Sequence, residues 1–383
     1  MRPATELVHY DPSPHDPFHP NSTPIYQTAT FGQPAADRFG EYDYTRSDNP
    51  TRSVLEGQLA RMERAERAFA FASGMAALTA LTRTVAAGGA VLAGDDLYGG
   101  TYRLLSRVLP GHGIRVRYAD ATDLAAMEEA LAEGPQLVLV ESPTNPLLRV
   151  VDLEGLAGRV HARGALLAVD NSALSPYLQR PLELGADAVV HSATKHLGGH
   201  GDLTAGVVAV RDRELAERLA FVQNAEGAGL APFESWLLLR GIKTLGVRLD
   251  RQQASAQRVA EHLATHPQVS RVHYPGLDTH PGRAIHFRQA RGAGSLISLL
   301  PRRPEMARIL VESTQLFRIS VSFGSVGSLA SLPSRMSHSS IPPEVRASRA
   351  LPEHLVRLSI GLEDAEDLIE DLDQALEEAR RRV

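Results

Sequence analysis

The sequence predicts an α/β fold with a mostly parallel sheet in a large domain, followed by a smaller C-terminal α+β domain. Two observations predict it. From about residue 67, short apolar runs alternate with segments of helical spacing, and from about residue 236 a long helical pattern and separate strand-like pieces replace this alternation. A chain of 383 residues can bury a large core. We divide it into an arm (residues 1–50), a large domain (51–235) and a C-terminal domain (236–383).

The first fifty residues are rich in Pro, His, Asp and Asn, which favours an extended arm. Prolines prevent a long helix there, because proline lacks a backbone N–H and clashes with the preceding turn. Three histidines of the arm could be read as metal ligands, but their irregular spacing favours solvated side chains. The prolines are Pro12, Pro14, Pro17, Pro20 and Pro24, and the histidines are His9, His15 and His19.

The large domain has apolar, β-rich runs separated by helical segments, for example 75–85 and 124–132. This alternation predicts βαβ units and a sheet with helices on both faces. In such sheets ligands bind beyond the carboxyl ends of the strands, so the site residues should follow these runs. The predicted strands are 68–71, 90–93, 114–118, 137–140, 165–169, 188–190 and 206–210.

The C-terminal domain begins with a long helical pattern over 237–266 that ends before Pro267. Strand-like pieces follow at 269–274, 295–300, 319–322 and 356–360. The last twenty residues form an amphipathic helix pattern that is expected to pack by one face. Its apolar positions are Leu368, Ile369, Leu372, Ala375 and Leu376.

Composition restricts the possible ligands. The formal net charge is -5 and both signs are interspersed, which leaves no basic face for nucleic acid or anionic lipid. The chain has no cysteine, so disulfides, thiolate metal sites and a cysteine nucleophile are excluded. No apolar run is long enough for a signal core or a transmembrane helix. We expect a cytoplasmic protein that acts on small molecules.

An anion site is predicted where the run 68–71 ends in Ser73, Gly74 and Met75 and passes directly into a helix. Free backbone N–H groups and the positive end of a helix dipole favour a phosphate at such a position. Taken alone, the pattern favours a structural reading, with Ser73 as an N-cap and Gly74 as a tight turn.

Further polar residues follow the later strands. Asp170 ends the run 165–169, where a buried carboxylate needs a cation. Lys195 follows the run 188–190 and is flanked by the hydroxyls of Ser192 and Thr194. Burial at the floor of a crevice would make this lysine a nucleophile toward an aldehyde. Each residue alone also has a structural explanation, as a cap for Asp170 and as a surface charge for Lys195.

Together these residues supply an anion site, a partner for a ring nitrogen, hydroxyl donors and an amine in one crevice. Pyridoxal 5'-phosphate (PLP), held by Lys195 as a Schiff base, accounts for all of them. Two alternatives are weaker: His191, His196 and His200 lack a second cluster that would complete a zinc site, and no glycine fingerprint for a nicotinamide cofactor follows the first strand.

The sequence resembles the fold-type-I PLP enzymes of Cys/Met metabolism over almost the whole chain. This family includes cystathionine β-lyases, cystathionine γ-lyases, cystathionine γ-synthases and methionine γ-lyases. Seven ordered motifs carry the resemblance. They lie at residues 42–52, 72–78, 96–101, 141–146, 192–195, 239–245 and 355–359.

The resemblance implies a role for each matching residue. Lys195 holds the cofactor and moves protons, Asp170 pairs with the pyridinium, and Tyr98 stacks on the ring. The cofactor phosphate is bound by Gly74, Met75, Ser192 and Thr194, joined by Tyr44 and Arg46 from a neighbouring subunit. Asn145 lies near the cofactor and the substrate, and Arg357 with Ser322 binds the substrate carboxylate. The resemblance also implies a homotetramer, a dimer of dimers with active sites at subunit interfaces.

Within the family, four stretches are similar to plant-type cystathionine β-lyases: 26–31, 226–233, 292–295 and 321–326. Val321 stands where γ-synthases and γ-lyases usually carry Glu, and Gly100 where methionine γ-lyases usually carry Cys. These positions favour β-elimination from cystathionine over a γ-lyase, a γ-synthase or a methionine γ-lyase. His196 and Gly201 depart from the family pattern beside Lys195, where an aromatic residue and a serine are usual. A PLP-binding protein without turnover is the alternative from another functional class.

Overall fold

The computed structural model describes residues 1–10 and 16–383, and its larger sheet has seven strands in the order β1-β7-β6-β5-β4-β2-β3. The five strands from β6 to β3 are parallel, whereas β7 is antiparallel to both of its neighbours. The predicted α/β fold with a mostly parallel sheet is confirmed. The strands are β1 (Arg67–Phe71), β2 (Ala90–Gly94), β3 (Arg115–Ala119), β4 (Leu137–Glu141), β5 (Leu166–Asp170), β6 (Ala188–Ser192) and β7 (Gly206–Val210).

A second sheet of five strands follows in the order β10-β11-β12-β9-β8. Only the β10–β11 pair is parallel in it. Its strands are β8 (Val269–His273), β9 (Leu296–Pro301), β10 (Arg318–Ile319), β11 (Leu329–Ser331) and β12 (Val356–Ser359).

The helices begin and end close to the predicted positions where the apolar periodicity is strong. They are α1 (Pro3–Val8), α2 (Pro50–Glu63), α3 (Gly74–Thr82), α4 (Gly99–Arg103), α5 (Leu124–Leu131), α6 (Leu153–Ala162), α7 (Ser175–Leu178), α8 (Arg213–Glu226), α9 (Pro232–Ile242), α10 (Leu245–Thr265), α11 (Arg283–Gln289), α12 (Met306–Ser313), α13 (Pro343–Ser348) and α14 (Ala365–Arg382).

Alternate residues of the central strands pack against helices on opposite faces of the larger sheet. On β4, Val138 and Val140 join a core with residues of α5 and α6, whereas Leu137 and Leu139 join one with residues of α3 and α8. This alternation follows from the two-residue period of a strand. With both faces covered by helices, the carboxyl ends of the strands are left as the place for a ligand.

The second sheet packs on α10, α12 and α14. The predicted apolar face of the last helix is buried at Leu368, Leu372 and Leu376, which lie against β9 and β12 in one core. Because β12 is a central strand of this sheet, its residues are held by pairing on both sides. This fixes the position of Arg357, which lies on β12.

Three sequence predictions are wrong in detail. The helical pattern over 237–266 is two helices, α9 and α10, separated at Lys243 and Thr244. The predicted strand 319–322 ends at Ile319, and Ser322 has a left-handed φ of 85°, which strand pairing does not allow. Part of the expected extended arm is helix α1, because proline is favoured in a first helical turn and Leu7 is buried.

Pro12, Pro14 and His15 lie outside the described residues. Over the ranges 1–10 and 16–383, no helix combines the length and apolar character needed to span a membrane.

Candidate active site

A cavity of about 340 Å³ lies where β4, β5 and β6 end, between these strands and segments that flank the second sheet. It brings together ten of the twelve residues that the sequence predicts for the site. The ten are Gly74, Met75, Tyr98, Asn145, Asp170, Ser192, Thr194, Lys195, Ser322 and Arg357. The two others, Tyr44 and Arg46, do not line it.

At one end of the cavity, the turn between β1 and α3 lies tightly against β6. Ser73 caps α3 by accepting a hydrogen bond from the Ala76 N–H at 3.1 Å. A Cβ atom at Gly74 would lie 2.9 Å from the Ser192 Cβ, which only glycine avoids. This approach places the N-terminus of a nine-residue helix beside a hydroxyl, an arrangement suited to a phosphate.

The Thr194 hydroxyl makes hydrogen-bond contacts with the backbone of Ala205. Its Oγ1 accepts a hydrogen bond from the Ala205 N–H at 3.0 Å and lies 3.3 Å from the Ala205 carbonyl oxygen. The hydroxyl therefore also stabilises the connection between β6 and β7.

Asp170 lies at the end of β5, where its carboxylate accepts hydrogen bonds from the N–H and the hydroxyl of Ser172 at 2.9 and 2.6 Å. Burial raises the pKa of Asp170, and the Ser172 bonds with the charges of His191 and Lys195 oppose that rise. A buried carboxylate of this kind is stabilised by a cationic ligand group at contact distance.

Lys195 follows β6 and reaches across to the second half of the chain. Its Nζ donates to the Ser322 hydroxyl at 2.5 Å and lies 5.1 Å from the centre of the Phe323 ring. Burial lowers the pKa of Lys195 from 10.5 to about 8, helped by the nearby charge of Arg357. A substantial fraction of the amine is therefore neutral near pH 8, as a nucleophile or base requires.

Arg357 is 2 % exposed and enters the cavity from β12. Its Nη1 donates to the Asn145 side-chain oxygen at 2.8 Å and its Nη2 to the Ser322 carbonyl oxygen at 2.7 Å. Within residues 1–10 and 16–383, its Nε has no partner and no carboxylate lies within 4.0 Å of the guanidinium. Burial lowers its pKa to about 10. A buried guanidinium without a counter-ion favours an anionic ligand, and its geometry matches a carboxylate.

Tyr98 is 38 % exposed and lines the cavity just before α4. Glu141, which ends β4 and accepts a hydrogen bond from the Tyr98 N–H, also lines the cavity but is not among the residues predicted from the sequence. A carboxylate at the end of an apolar strand was the available signal, and it is the same signal that identified Asp170. Arg103 and Phe323 are further lining residues without such a signal.

Tyr44 and Arg46 lie outside this cavity and contact each other. The Arg46 guanidinium is 5.3 Å from the centre of the Tyr44 ring, and its Nη1 donates to the Asn224 carbonyl oxygen at 2.7 Å. Tyr44 is 41 % exposed.

The three histidines near Lys195 are used separately. His191 is buried and bonds Glu63 at 2.5 Å, His196 packs on Phe323, and His200 bonds the Gly198 carbonyl oxygen. Among the residues that the structure describes, no group of three or more His, Cys, Asp or Glu side chains could hold a metal ion.

The residues of the cavity fit PLP. The close approach at Gly74 provides a cradle for a phosphate, Asp170 can pair with a protonated ring nitrogen, and the Lys195 amine can react with an aldehyde. These groups lie on adjoining strand ends of one cavity, so a single molecule can reach all of them.

Comparisons with known proteins agree with this chemistry. The sequence model of the family described as "Cys/Met metabolism PLP-dependent enzyme" matches residues 4–377. The chain is 53% identical to a chloroplastic cystathionine beta-lyase of Arabidopsis thaliana over 97% of this chain and 80% of that protein. It is 43% identical to a cystathionine gamma-lyase of Bacillus subtilis over 98% of this chain and 100% of that protein. A cystathionine gamma synthase of Xanthomonas oryzae pv. oryzae in complex with cystathionine has a TM-score of 0.98 at 38% identity, with all of both chains covered.

Proposed function

Because this chain belongs to the Cys/Met metabolism PLP-dependent enzymes, we propose that it is a carbon–sulfur lyase that cleaves cystathionine to homocysteine, pyruvate and ammonia by β-elimination. The resemblance predicted from the sequence motifs is confirmed, as is the PLP cofactor. One observation carries the proposal: a buried guanidinium that has no carboxylate partner among the described residues shares a cavity with a lysine whose pKa is lowered to about 8.

The shared cavity and the family resemblance support the following cofactor contacts. Gly74, Met75, Ser192 and Thr194 would hold the phosphate, Asp170 the ring nitrogen, and Tyr98 with Asn145 the ring and its substituents. Lys195 would bind the aldehyde. PLP, when bound, withdraws electrons from the substrate and so stabilises negative charge at its Cα.

The protein's own residues then orient the substrate and move protons. Arg357 binds the substrate α-carboxylate, supported by Ser322 and by Asn145, which its guanidinium contacts. The neutral amine of Lys195 removes the Cα proton, and the bond between Cβ and sulfur breaks as the thiolate leaves. Tyr98, which lines the same cavity, would assist this proton movement. β-Elimination needs one deprotonation, so Lys195 suffices as the base.

Two positions favour cleavage at Cβ over cleavage at Cγ. Val321 lines the cavity and is 54 % exposed, and it provides no carboxylate for a distal ammonium group. A Cβ atom at Gly100 would lie 2.4 Å from the Tyr98 ring, so a cysteine there would displace Tyr98. Cystathionine γ-lyase and γ-synthase activities remain the alternatives within the family, and methionine γ-lyase fits least well.

We further propose a homotetramer in which Tyr44 and Arg46 complete the phosphate site of a neighbouring subunit. Their contacts support this, because both side chains lie outside the cavity of their own chain. In this proposal residues 1–50 contact the neighbour, 51–235 bind PLP and 236–383 form the C-terminal domain. A cytoplasmic location is also a proposal, in keeping with a chain that has no cysteine to oxidise.

Identification of the products formed from cystathionine by the PLP-loaded enzyme tests the reaction. We expect pyruvate and homocysteine in equal amounts. Formation of 2-oxobutyrate and cysteine as the main products would assign γ-elimination and contradict the proposal, and the absence of any product would favour a PLP-binding protein without turnover.

A further inference from the structure

Two buried residues, Glu141 and His338, each contact both Tyr98 and Asn145. The Glu141 carboxylate accepts hydrogen bonds from the Tyr98 N–H at 2.8 Å and from the Asn145 N–H at 3.3 Å. The His338 ring meets the Tyr98 ring edge-on, with centres 6.3 Å apart, and its Nε2 lies 3.0 Å from the Asn145 carbonyl oxygen. We propose that Glu141 and His338 are positioning residues that together fix Tyr98 relative to Asn145.

The two positioned residues belong to separate connections of the large sheet. Tyr98 lies between β2 and α4, and Asn145 lies between β4 and α6. Neither residue is held by strand pairing, so other contacts must set the distance between them. Glu141, at the end of β4, joins the two connections by accepting hydrogen bonds from an amide of each. Loss of this acceptor would leave buried N–H groups without a partner and so destabilise the local structure.

His338 joins the same two connections from the other half of the chain. It lies between β11 and α13, 193 positions from Asn145. Since a carbonyl oxygen can only accept, Nε2 carries the proton, which leaves Nδ1 to accept from the Ser337 hydroxyl at 2.9 Å. The segment packs closely there, because a Cβ atom at Gly99 would lie 2.3 Å from the Ser337 carbonyl oxygen. The His338 ring is thus fixed beside Tyr98.

Burial shifts the pKa of each positioning residue toward its uncharged form. Burial raises the pKa of Glu141 well above its usual range, and the neighbouring carboxylate of Asp170, its register partner on β5, raises it further. Burial lowers the pKa of His338 to about 4, and the charge of Arg357 lowers it further. Both shifts disfavour a further charge at Glu141 beside Asp170 and at His338 beside Arg357.

This inference rests on the proposed function for the roles of Tyr98 and Asn145, but its main test does not need turnover. Hydrogen–deuterium exchange of the full-length holoenzyme reports the protection of residues 97–103 and 143–149. We expect E141L and H338F each to raise the exchange rate about tenfold in both segments, because each variant removes a contact that both connections share. E141Q and H338Q keep an acceptor and a donor, so they should exchange at rates within about threefold of the wild type.

Activity provides the second readout. We expect E141L and H338F each to lower kcat/KM by about tenfold to a hundredfold, since a misplaced group near the reacting atoms has an effect of this size. Because both act on the same pair of residues, the double variant should lose little more than the more impaired single variant. If the protein lacked lyase activity altogether, the exchange experiment would still test the positioning role.

Two matched controls lie away from the cavity. Asp371 is a buried carboxylate that accepts from the Gln315 and Leu316 amides at 2.8 and 2.9 Å, and His286 is a buried histidine whose Nε2 lies 2.9 Å from the Gly292 carbonyl oxygen. D371N and H286Q should leave exchange in both segments unchanged. The inference is overturned if E141L or H338F loosens only one segment, if the Gln variants are as damaging as E141L and H338F, or if the double variant shows the product of the two single losses.

Discussion

The two sheets present opposite charges to the same cavity. The seven-stranded sheet contributes the carboxylate of Asp170 at the end of β5, whereas the five-stranded sheet contributes the guanidinium of Arg357. Neither Asp170 nor Arg357 has a partner of opposite charge in direct contact within the described ranges. The difference favours ligands that carry both missing charges: in the proposed function, the ring nitrogen of PLP would be the cation beside Asp170 and a substrate carboxylate the anion beside Arg357.

Removal of the lysine that lies between the two sheets should have the largest effect. If Lys195 has the proposed roles, K195A removes both the covalent attachment of the cofactor and the base for the Cα proton. We therefore expect the visible absorption band of the bound cofactor to change and kcat to fall at least about a thousandfold. Absorption spectra and pyruvate release measure the two effects. The chain offers a matched control, because Lys243 is its only other lysine and is exposed. Wild-type spectra and turnover in K195A would contradict the assignment.

Replacing Arg357 tests the proposed binding of the substrate carboxylate by the second sheet. R357K keeps the positive charge but loses bidentate geometry, so we expect kcat/KM for cystathionine to fall about a hundredfold. PLP affinity should stay within about twofold, since Arg357 is assigned to the substrate and not to the cofactor. Steady-state kinetics and cofactor titration separate the two effects. If R357K lost PLP but kept its KM, Arg357 would belong to the cofactor site and the proposal would be contradicted. R346K, which alters a buried arginine paired with Glu353, serves as the control.

The same division explains how much of the site the sequence predicts. Asp170 and Lys195 follow apolar strands of a parallel sheet, where one rule places ligand groups, so local pattern is enough to find them. Arg357 lies within a strand of the second sheet and was assigned only by its family motif. His338 lies in an irregular segment and meets Asn145 through folding of distant parts of the chain, a contact that no local pattern encodes.

The fold prediction was likewise accurate for the buried strands of the larger sheet and less accurate elsewhere. Buried parallel strands gave apolar runs whose positions agree with the structure to within about one or two residues, since their side chains are apolar on both faces. The break between α9 and α10 was missed because Lys243 and Thr244 interrupt the helix without a proline or a change in apolar spacing. Ser322 was placed in a strand because its φ of 85° leaves no mark in the sequence.

The positive charge of Arg357, on the second sheet, should have a measurable effect on the pKa of Lys195. With a pKa of about 8, the fraction of neutral amine rises about tenfold from pH 6 to pH 7 and levels off above pH 8. The rate at which the apoenzyme binds PLP should follow this curve, whereas an ordinary lysine with a pKa of 10.5 would give a rate that rises until about pH 10. Stopped-flow absorbance measures it. R357M should raise the pH midpoint of this curve, because Arg357 is one cause of the lowered pKa of Lys195. An unchanged midpoint would show that Arg357 does not influence the ionisation of Lys195.

The smallest expected effect concerns Ser322, which joins the two sides through its contacts with Lys195 and Arg357. Its left-handed backbone is unfavourable for serine and acceptable for glycine, so S322G should gain about 0.5 kcal/mol of stability relative to S322A after the entropy of glycine is subtracted. Both variants lose the hydroxyl that Lys195 contacts, and we expect both to lower kcat/KM about tenfold. Thermal melting of the two holoenzymes, together with pyruvate release, separates the effects. If S322G melts below S322A, the backbone at this position is not strained; if only S322G loses activity, the backbone conformation and not the hydroxyl is what the site requires.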